Sequence, residues 1–487
     1  MDRSNSSSLS LLTDLYQLTM AYGYWKQGKA EQQAVFNMFF RSNPFQGGYT
    51  IAAGLGPALE FVRSFHFTSE DVAFLATLQG NDNQPLFEGE FLEYLHSLEL
   101  TLDIDAIPEG TVVFPHEPLL RVRGPILHCQ LLETALLNII NFQSLIATKA
   151  SRIVRAAKGD AVLEFGLRRA QGVDGALAAS RAAYIGGCAA TSNVLAGKLF
   201  GIPVKGTHAH SWVMSFDTEL EAFDAYAHAM PNNCVFLVDT YNTLDGVRHA
   251  ITVGKRLRET GHRMVGIRLD SGDLAYLSIE ARKLLDEAGF QDAAIVASND
   301  LDERLIASLK EQGAAICIWG VGTKLVTAYD QPALGGVYKL SAIEDHSGVW
   351  QPKLKLSEQM IKTSTPGILQ VRRFFNDDGQ ATADMIYNEL EKLPSNSVMV
   401  DPLDATRQRA VAVDIASEDL LQPMICDGKV IAELPSISEI RIRTLNQLKC
   451  FHHSILRFDH SHAYPVGLEQ QLYELKVGMI KAARMHK

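Results

Sequence analysis

The sequence predicts an α/β protein whose central part is an irregular α/β barrel, with an N-terminal α/β domain and a smaller C-terminal segment or domain. Short apolar runs recur from Ala161 to about Leu340 at spacings of roughly 20 to 40 residues, as in β-α units. A polar string follows most of these runs. At 487 residues the chain also exceeds what one hydrophobic core usually organises. We therefore place domains at 1–130, 131–345 and 346–487, and the last could pack back on the first.

The N-terminal domain is predicted from a helix, a strand and a proline-rich stretch. Residues 11–28, LLTDLYQLTMAYGYWKQG, carry apolar side chains near helical spacing, and AVFNMFFR, residues 34–41, is typical of a strand. Another helix is expected around 56–64. Prolines bracket the short apolar pieces of residues 111–126, which is typical of edge strands and turns. A long apolar helix from Gln130 leads into the barrel.

The barrel strands are predicted at apolar runs that share one rim. In chain order they are AVLEF, IPVKGT, CVFLVDT, MVGIRLD, AAIVAS, ICIWGV and GGVYKL. Because parallel strands deliver their carboxyl ends to one face, side chains from distant parts of the chain should meet there. Past Leu340 the pattern favours short strands and turns to about Ser438. A closing helix is expected in residues 467–487.

Composition and charge argue against several function classes. The net charge is −11 and no basic cluster stands out, so we expect no nucleic-acid partner. No uncharged apolar run reaches ~18 residues, which argues against a membrane-spanning helix, and the first residues do not resemble a signal peptide. The six cysteines are scattered without a CxxC pair, which fits a reducing cytoplasm.

Two arginines follow the first barrel strand in EFGLRRAQG, residues 164–172. The guanidinium groups of Arg168 and Arg169 match the paired oxygens of phosphate or carboxylate, so this string favours anion binding. A solvated turn or an interdomain salt bridge is the structural alternative.

A glycine pair late in the barrel has the chemistry of a phosphate cradle, in WGVGTK, residues 319–324. Gly320 and Gly322 allow backbone N–H groups to approach an anion, and Thr323 and Lys324 add donors. A tight β-α turn explains the same residues without a ligand.

Two histidines, His208 and His210, are expected to alternate along a strand end and to point the same way. One interpretation is a metal-dependent α/β-barrel hydrolase in which this pair binds a metal that activates water. The other is a single histidine acting as nucleophile or general acid-base, because the later rim strings supply carboxylates rather than further histidine or lysine ligands. A core histidine without a catalytic role is also open for His208.

Three aspartates follow the middle strands, namely Asp239, Asp270 and Asp273. Carboxylates beside an anion site suit sugar hydroxyls or Mg²⁺. One or two of them could instead cap the helices that follow. Asp270 is the main functional candidate.

Taken together, these strings resemble nicotinate phosphoribosyltransferase. The matching segments run in order from Thr13 to about Glu358, with a weaker match near the end: TDLYQLTMAYGY, FFRSNPF, NFQSLIATKASR, EFGLRRAQG, ASRAAYIGGCAATSNVLAGK, GTHAHSW, DTYNT, IRLDSGDL, WGVGTKLVT, PKLKLSE and HAYPVGL. The resemblance implies a reaction of NAD biosynthesis or salvage, in which nicotinate and phosphoribosyl pyrophosphate give nicotinate mononucleotide and pyrophosphate. It also implies ATP hydrolysis coupled through a phosphohistidine.

The resemblance implies roles for single residues. His210 matches the phosphorylated histidine and, with Asp270, forms the predicted catalytic pair. The predicted substrate-binding residues that the resemblance implies are Tyr16, Arg168, Ser180, Arg181, Asp239, Gly322 and Thr323. The chemistry of the side chains and of the glycine loop adds Arg169, Arg268 and Gly320. Tyr16 is expected to contact the nicotinate ring across a homodimer with shared sites. Mg²⁺ is the expected cofactor and ATP a co-substrate; Asp239 and Asp270 are candidates for ribose or Mg²⁺.

Two alternatives stay open. Nicotinamide is the nearest competing substrate, and a cation near the ring, for which Arg268 is a candidate, would favour the acid. A sugar-phosphate-binding regulator on the same fold would bind these ligands without turnover.

Overall fold

The computed structural model describes residues 8–359, 362–394, 396–412 and 415–485. The chain divides into two compact units. The first combines Met1–Ser144, Ala333–Pro435 and Arg443–Lys487. The second, called the parallel unit below, combines Leu145–Pro332 and Ser436–Ile442. The three predicted domain boundaries stay a prediction.

The N-terminal segment begins the first unit. Its helices are α1 (Leu15–Lys26), α2 (Leu55–Ser64), α3 (Ser69–Leu75), α4 (Gly89–His96), α5 (Ile126–Leu131) and the first half of α6 (Glu133–Ala156), which belongs to the parallel unit from Leu145 onward. Its strands are β1 (Gln33–Phe40), β2 (Thr50–Ile51), β3 (Asp103–Ala106), β4 (Val112–Val113) and β5 (Leu120–Pro125). The strand predicted at 34–41 is β1, and the long apolar helix is α6.

The parallel unit alternates strands and helices. Its strands are β6 (Ala161–Glu164), β7 (Ala190–Thr191), β8 (Val235–Leu237), β9 (Gly266–Leu269), β10 (Ala294–Ala297) and β11 (Ile318–Val321). Its helices are α7 (Gly172–Ile185), α8 (Val194–Phe200), α9 (His210–Met214), α10 (Glu219–Ala229), α11 (Thr243–Glu259), α12 (Leu274–Glu287), α13 (Glu303–Glu311) and α14 (Thr323–Val326).

The sheet of the parallel unit has the strand order β7-β6-β11-β10-β9-β8, and each neighbouring pair is parallel. Its central side chains are buried, among them Phe236, Ile267 and Trp319. Since the strands share one direction, their carboxyl ends lie at one edge. The predicted α/β class is confirmed.

Closure of this sheet into a barrel stays a prediction. The expected strand IPVKGT contributes a single bridge, in which Val204 pairs with Thr191 of β7. The Thr191 N–H donates to the Pro203 carbonyl, and the Lys205 N–H donates to the Thr191 carbonyl. On its other side this segment reaches β8 through a side chain, because His208 Nε2 accepts from the Leu237 N–H.

The C-terminal segment contributes strands and two helices. The strands are β12 (Gly336–Glu344), β13 (Trp350–Pro352), β14 (Leu369–Phe375), β15 (Ala381–Asn388), β16 (Asn396–Val400), β17 (Gln408–Ala412), β18 (Ser417–Asp419), β19 (Gln422–Cys426), β20 (Lys429–Val430) and β21 (Val466–Glu469). The helices are α15 (Ile437–Lys449) and α16 (Gln470–Met485). The closing helix therefore starts after a short strand.

One sheet of the first unit joins the two ends of the chain, in the order β13-β12-β1-β5-β3-β19-β20. The run GGVYKL was expected in the barrel, but it forms β12 and pairs antiparallel with β1. The edge-strand expectation for residues 111–126 was also wrong for β5, which lies between β1 and β3. Pro115 and Pro118 precede β5 and Pro125 ends it, so its ladder stays intact.

A second sheet of the first unit has the order β17-β16-β21-β15-β14-β18. Phe374, Met385 and Met399 pack in its core. Arg373 and Asp384 form a fully buried ion pair at 2.6 Å. Within the described residues, no helix combines the length and apolarity needed to cross a membrane.

Candidate active site

A cavity of about 350 Å³ opens at the carboxyl edge of the parallel sheet. Its walls come from segments that follow β6, β7, β9, β10 and β11, together with the segment before α9. The lining residues are Phe165, Arg168, Arg169, Ser192, Gly206, Thr207, His208, Ala209, Arg268, Asp270, Ser298, Asn299, Asp300, Gly320, Gly322 and Thr323. The predicted common rim thus brings most of the candidate residues together.

The two arginines lie on a short 3-10 helix, Leu167–Arg169, that follows β6. Both are exposed and line the cavity. A side chain at Gly166 would collide with Val326, so only glycine lets this turn approach α14. Two adjacent guanidinium groups therefore face a space in which an anion fits.

Ser180 and Arg181 are buried on α7 and are not among the residues that line the cavity. The Ser180 hydroxyl can donate its one hydrogen to Glu164, at 2.8 Å, or to the Ala176 carbonyl, at 3.0 Å. Their predicted contact with phosphate stays a prediction, and the hydroxyl of Ser180 has an internal use.

Glu164 is a site residue that the sequence analysis missed. It ends β6 with 1% of its surface exposed and accepts from the Gly166 N–H, from Ser180, and from Thr191 at 2.6 Å. An acidic residue at the buried end of an apolar strand was the available signal, since a buried carboxylate needs several donors. It connects the arginine turn to α7 and β7.

The two histidines do not alternate along a strand, and that expectation was wrong. His210 is the first residue of α9, and the extended residue Ala209 precedes it. The helix starts at His210, and the two rings have different partners: His208 accepts from the Leu237 N–H, and His210 lies near Thr240 and Asp270. His208 is buried, and its ring lies 4.8 Å from that of Tyr226. Burial, together with nearby Arg268 and His210, lowers the pKa of His208.

His210 keeps an accessible imidazole, with 38% of its side chain exposed. Its Nδ1 lies 3.1 Å from Thr240 Oγ1, and its Nε2 lies 3.7 Å from Asp270 Oδ2. One ring nitrogen is thus oriented by a hydroxyl, and the other lies near a carboxylate. This is the arrangement of a histidine that can act as a nucleophile or a proton carrier.

The aspartates have three different roles. Asp270 accepts from Arg268 at 2.9 Å and from Ser298. Burial raises the pKa of Asp270, but these two donors outweigh it and hold the pKa below its usual range. Asp239 Oδ2 accepts from the Asp270 N–H at 2.8 Å. Asp273 caps α12, as the structural alternative predicts.

Arg268, in β9, donates hydrogen bonds to residues of three segments that line the cavity. It donates to Ser298 Oγ at 2.8 Å, to Thr207 Oγ1 at 3.0 Å and to Asp270. Its guanidinium carbon lies 5.9 Å from the ring centre of Phe165. Phe165, which the sequence analysis did not select, therefore supplies an aromatic wall beside a cation.

The glycine loop lines the cavity as predicted, but its lysine does not. In β11, a Cβ at Gly320 would lie 2.7 Å from the Phe165 ring, so glycine is required there. Gly322 and Thr323 line the cavity, and α14 starts at Thr323. Lys324 pairs with Asp302 at 2.6 Å and is not a lining residue.

Tyr16 and Tyr22 lie on α1 in the first unit. The Tyr22 ring is partly buried and packs against Trp25, Phe87 and Phe91. Tyr16 is 47% exposed. Its predicted contact with nicotinate stays a prediction.

The metal-hydrolase alternative needs more ligands than His208 and His210. Among the residues that the structure describes, no group of three or more His, Cys, Asp or Glu side chains could hold a metal ion. His208 also uses Nε2 to accept from a backbone N–H. The donor set does not favour this alternative.

Comparison with known proteins covers both units. Family models of nicotinate phosphoribosyltransferase match its N-terminal domain at residues 11–141, the family region at 161–379 and its C-terminal domain at 369–476. The nicotinate phosphoribosyltransferase of Bacillus subtilis is 45% identical over 479 residues, covering 97% of this chain and 95% of the relative. The human one is 38% identical over 495 residues, covering 90% of each. The crystal structure of human nicotinic acid phosphoribosyltransferase has a TM-score of 0.84 at 34% identity, covering 96% of this chain and 99% of that one.

Proposed function

The chain belongs to the nicotinate phosphoribosyltransferase family, and we propose that it couples ATP hydrolysis to the family reaction through phosphorylation of His210. The reaction serves NAD biosynthesis: nicotinate and phosphoribosyl pyrophosphate give nicotinate mononucleotide and pyrophosphate. The observation that carries the proposal is the rim itself, where guanidinium groups, a glycine loop, carboxylates and an accessible histidine converge.

The histidine step follows from the surroundings of the ring. With the Nδ1 proton donated to Thr240, Nε2 of His210 carries the lone pair. Nε2 attacks the γ-phosphorus of ATP, and the N–P bond forms as the bond to the ADP oxygen breaks. Water then hydrolyses the phosphohistidine to histidine and phosphate. The added dianion orders nearby donors while it is present.

The transfer step depends on charge. As the bond between ribose C1 and pyrophosphate breaks, positive charge grows on the sugar ring and negative charge on the leaving group. Arg168, Arg169 and the backbone N–H groups beside Gly322 stabilise the pyrophosphate. The pyridine nitrogen of nicotinate then forms the new bond to C1.

Mg²⁺ fits the acidic side of the rim. Asp239 Oδ1 is buried and has no hydrogen-bond partner among the described residues, while Oδ2 already accepts from Ser271 at 2.7 Å. A carboxylate oxygen is the ligand that Mg²⁺ prefers, and substrate phosphates supply the others. Asp239 and Asp270 would hold the ion or the ribose hydroxyls. Bound there, Mg²⁺ would neutralise charge on the pyrophosphate.

Arg268 favours nicotinate over nicotinamide as the substrate. A pyridine ring beside Phe165 would place a carboxylate within reach of a guanidinium whose remaining N–H donors suit it. We expect Arg268→Met to lower kcat/KM for nicotinate at least tenfold more than for nicotinamide. Parallel assays of the two substrates measure this ratio, and an unchanged ratio would assign selectivity elsewhere.

A homodimer with shared sites is supported by the exposed face of α1 and the residues before it. Several large apolar residues are exposed there, namely Leu9, Leu12, Leu15, Tyr16 and Met20. Lys339 lies 4.0 Å from Glu133, which also interacts with Tyr16. Burial, with Lys355 and Arg41 nearby, lowers the pKa of Lys339, so the charged neighbours of Lys339 include two further cations. An exposed aromatic ring within this apolar face suits contact with the nicotinate site of a second copy.

Mixing two defective variants tests the shared site. Tyr16→Ala and Asp270→Asn chains should each have low activity, and a mixture that exchanges subunits should regain turnover because some sites then contain both wild-type residues. A monomer by sedimentation, or a mixture no more active than its components, would contradict the shared-site dimer.

Two further proposals concern the closure of the parallel sheet into a barrel and the location of the protein in the cell. We propose that the parallel sheet closes as an irregular barrel through residues 204–208, supported by the Thr191 bridge on one side and the His208 contact on the other. We also propose a cytoplasmic location. All six cysteines lie in the described parts of the chain and are unpaired thiols, which suits a reducing compartment.

One assay separates the proposed coupling from the family reaction. Nicotinate, phosphoribosyl pyrophosphate and Mg²⁺ are supplied with and without ATP labelled at the γ-phosphate. ATP should stimulate the wild-type chain, and this chain should take up the label. His210→Ala should keep slow phosphoribosyl transfer, but ATP should not stimulate it and it should take up no label. His262→Ala, at a histidine of the same unit that is partly exposed like His210, serves as the control. ATP coupling that survives in His210→Ala would refute the assignment.

A further inference from the structure

The ammonium group of Lys324 belongs to an ion pair beside the cavity. It donates to Asp302 Oδ2 at 2.6 Å; the Asp302 side chain is largely buried, and that of Lys324 is partly buried. The hydrogen bond with Asp302 raises the pKa of Lys324, so its charge is retained. Neither residue lines the cavity. The lysine that the sequence offers as a phosphate donor is therefore committed to another partner.

The pair connects two loops that do line the cavity. Lys324 directly follows Thr323 of the glycine loop, and Asp302 ends the loop that contains Asn299 and Asp300. Asn299 has a φ of 115°, in the left-handed region that is costly for a residue other than glycine. A loop held in that conformation needs support from its neighbours.

Asp302 also anchors its loop to a helix. Its Oδ1 accepts from the Arg304 N–H at 3.1 Å and from the Leu305 N–H at 2.8 Å, which caps α13. Its two oxygens therefore have separate partners, the helix on one side and Lys324 on the other.

A buried charge network lies beside this cap. Glu303, the first residue of α13, contacts Lys149 at 2.7 Å and Arg152 at 2.8 Å, and all three side chains are almost fully buried. Lys149 also contacts Asp330 at 2.5 Å. Since breaking a buried pair is strongly destabilising, the start of α13 is a fixed point in the parallel unit.

We propose that Lys324 and Asp302 form a loop clamp, in which the lysine positions the glycine loop and does not contact the phosphate itself. Through the clamp, the fixed start of α13 holds Gly322 and Thr323 at the distance from Asn299 that the substrate phosphates require. The inference rests on the proposed function, and it makes both residues positioning residues. Their loss should affect the affinity for phosphoribosyl pyrophosphate more than the chemical step.

A double-mutant cycle tests the clamp. Lys324→Met removes the charge at similar size, and Asp302→Asn removes the partner charge while an asparagine still caps α13. We expect each variant to raise KM for phosphoribosyl pyrophosphate about tenfold with little change in kcat, and the double variant to be no worse than either. Lys324→Arg should restore most of the affinity, because an arginine keeps the pair.

Direct phosphate binding by Lys324 predicts a different pattern. In that case Asp302→Asn would leave KM unchanged or lower it, and the two substitutions would add. Either result overturns the clamp.

The matched control is Lys310→Met, since Lys310 pairs with Asp160 at the same 2.6 Å and similar burial, but this pair does not join two loops that line the cavity. It should leave KM unchanged, and a rise equal to that of Lys324→Met would make the effect merely structural and overturn the clamp. Turnover by the wild-type chain tests the proposed function separately. Titration calorimetry with phosphoribosyl pyrophosphate and Mg²⁺ measures the binding affinity of each variant of the double-mutant cycle without turnover.

Discussion

Replacing Glu164 tests how the arginine turn is held. Its carboxylate accepts from the Gly166 N–H, from Ser180 at 2.8 Å and from Thr191 at 2.6 Å. Glutamine keeps the shape but turns one acceptor oxygen into an NH₂ donor. The oxygen that accepts from the Ser180 and Thr191 hydroxyls tolerates this exchange better than the one that accepts from the Gly166 N–H, because Ser180 can donate to the Ala176 carbonyl instead. The glutamine oxygen can then keep the Gly166 N–H.

These bonds set the expected magnitude. Glu164→Gln should lower the free energy of unfolding by about 2 kcal/mol, because charge-assisted bonds become neutral ones. Glu164→Ala leaves all three donors without this acceptor and should cost about 4 to 6 kcal/mol.

Scanning calorimetry measures both variants. For glutamine, the unfolding midpoint of the parallel unit should fall by roughly 4 to 8 °C. The exposed Glu311→Gln is the control and should change stability by less than about 0.5 kcal/mol. If both Glu164 variants had the same unfolding midpoint as this control, the reasoning would be refuted.

Three further predictions concern the same rim. Asp270→Asn should lower kcat about 100-fold in steady-state assays, because the carboxylate near His210 is lost. His208 has a lowered pKa, so its contribution to stability is present above about pH 6.5 and is lost as the pH falls; denaturant titrations of His208→Leu should show a flatter acid limb. Gly320→Ala places a Cβ 2.7 Å from the Phe165 ring, and thermal unfolding should reveal a loss of about 1 to 3 kcal/mol.

The rim could be predicted from sequence because it depends on strand direction. Apolar runs mark buried parallel strands, and the polar residues after them must then lie at one edge. Arg168, Asp270 and Gly322 meet at one cavity for that reason. The resemblance added the phosphohistidine assignment of His210, which spacing alone left open.

Other features depend on local conformation or on partners far away in sequence. His208 and His210 do not share a strand because a helix starts at His210, which an HxH spacing does not reveal. The assignment of β12 failed because an apolar run does not identify its partner, and its partner β1 is about 300 residues away. Lys324 next to a glycine pair favours phosphate binding until the position of Asp302 is known.

The place of β21 in its sheet has a consequence for synthesis on the ribosome. This strand lies between β15 and β16, so the middle of the sheet stays vacant until Glu469 has been translated. The segments of the parallel unit up to Pro332 emerge much earlier and can fold while translation continues. A nascent chain stopped before Val466 would expose two unpaired strand edges, which makes it a client for chaperones and proteases.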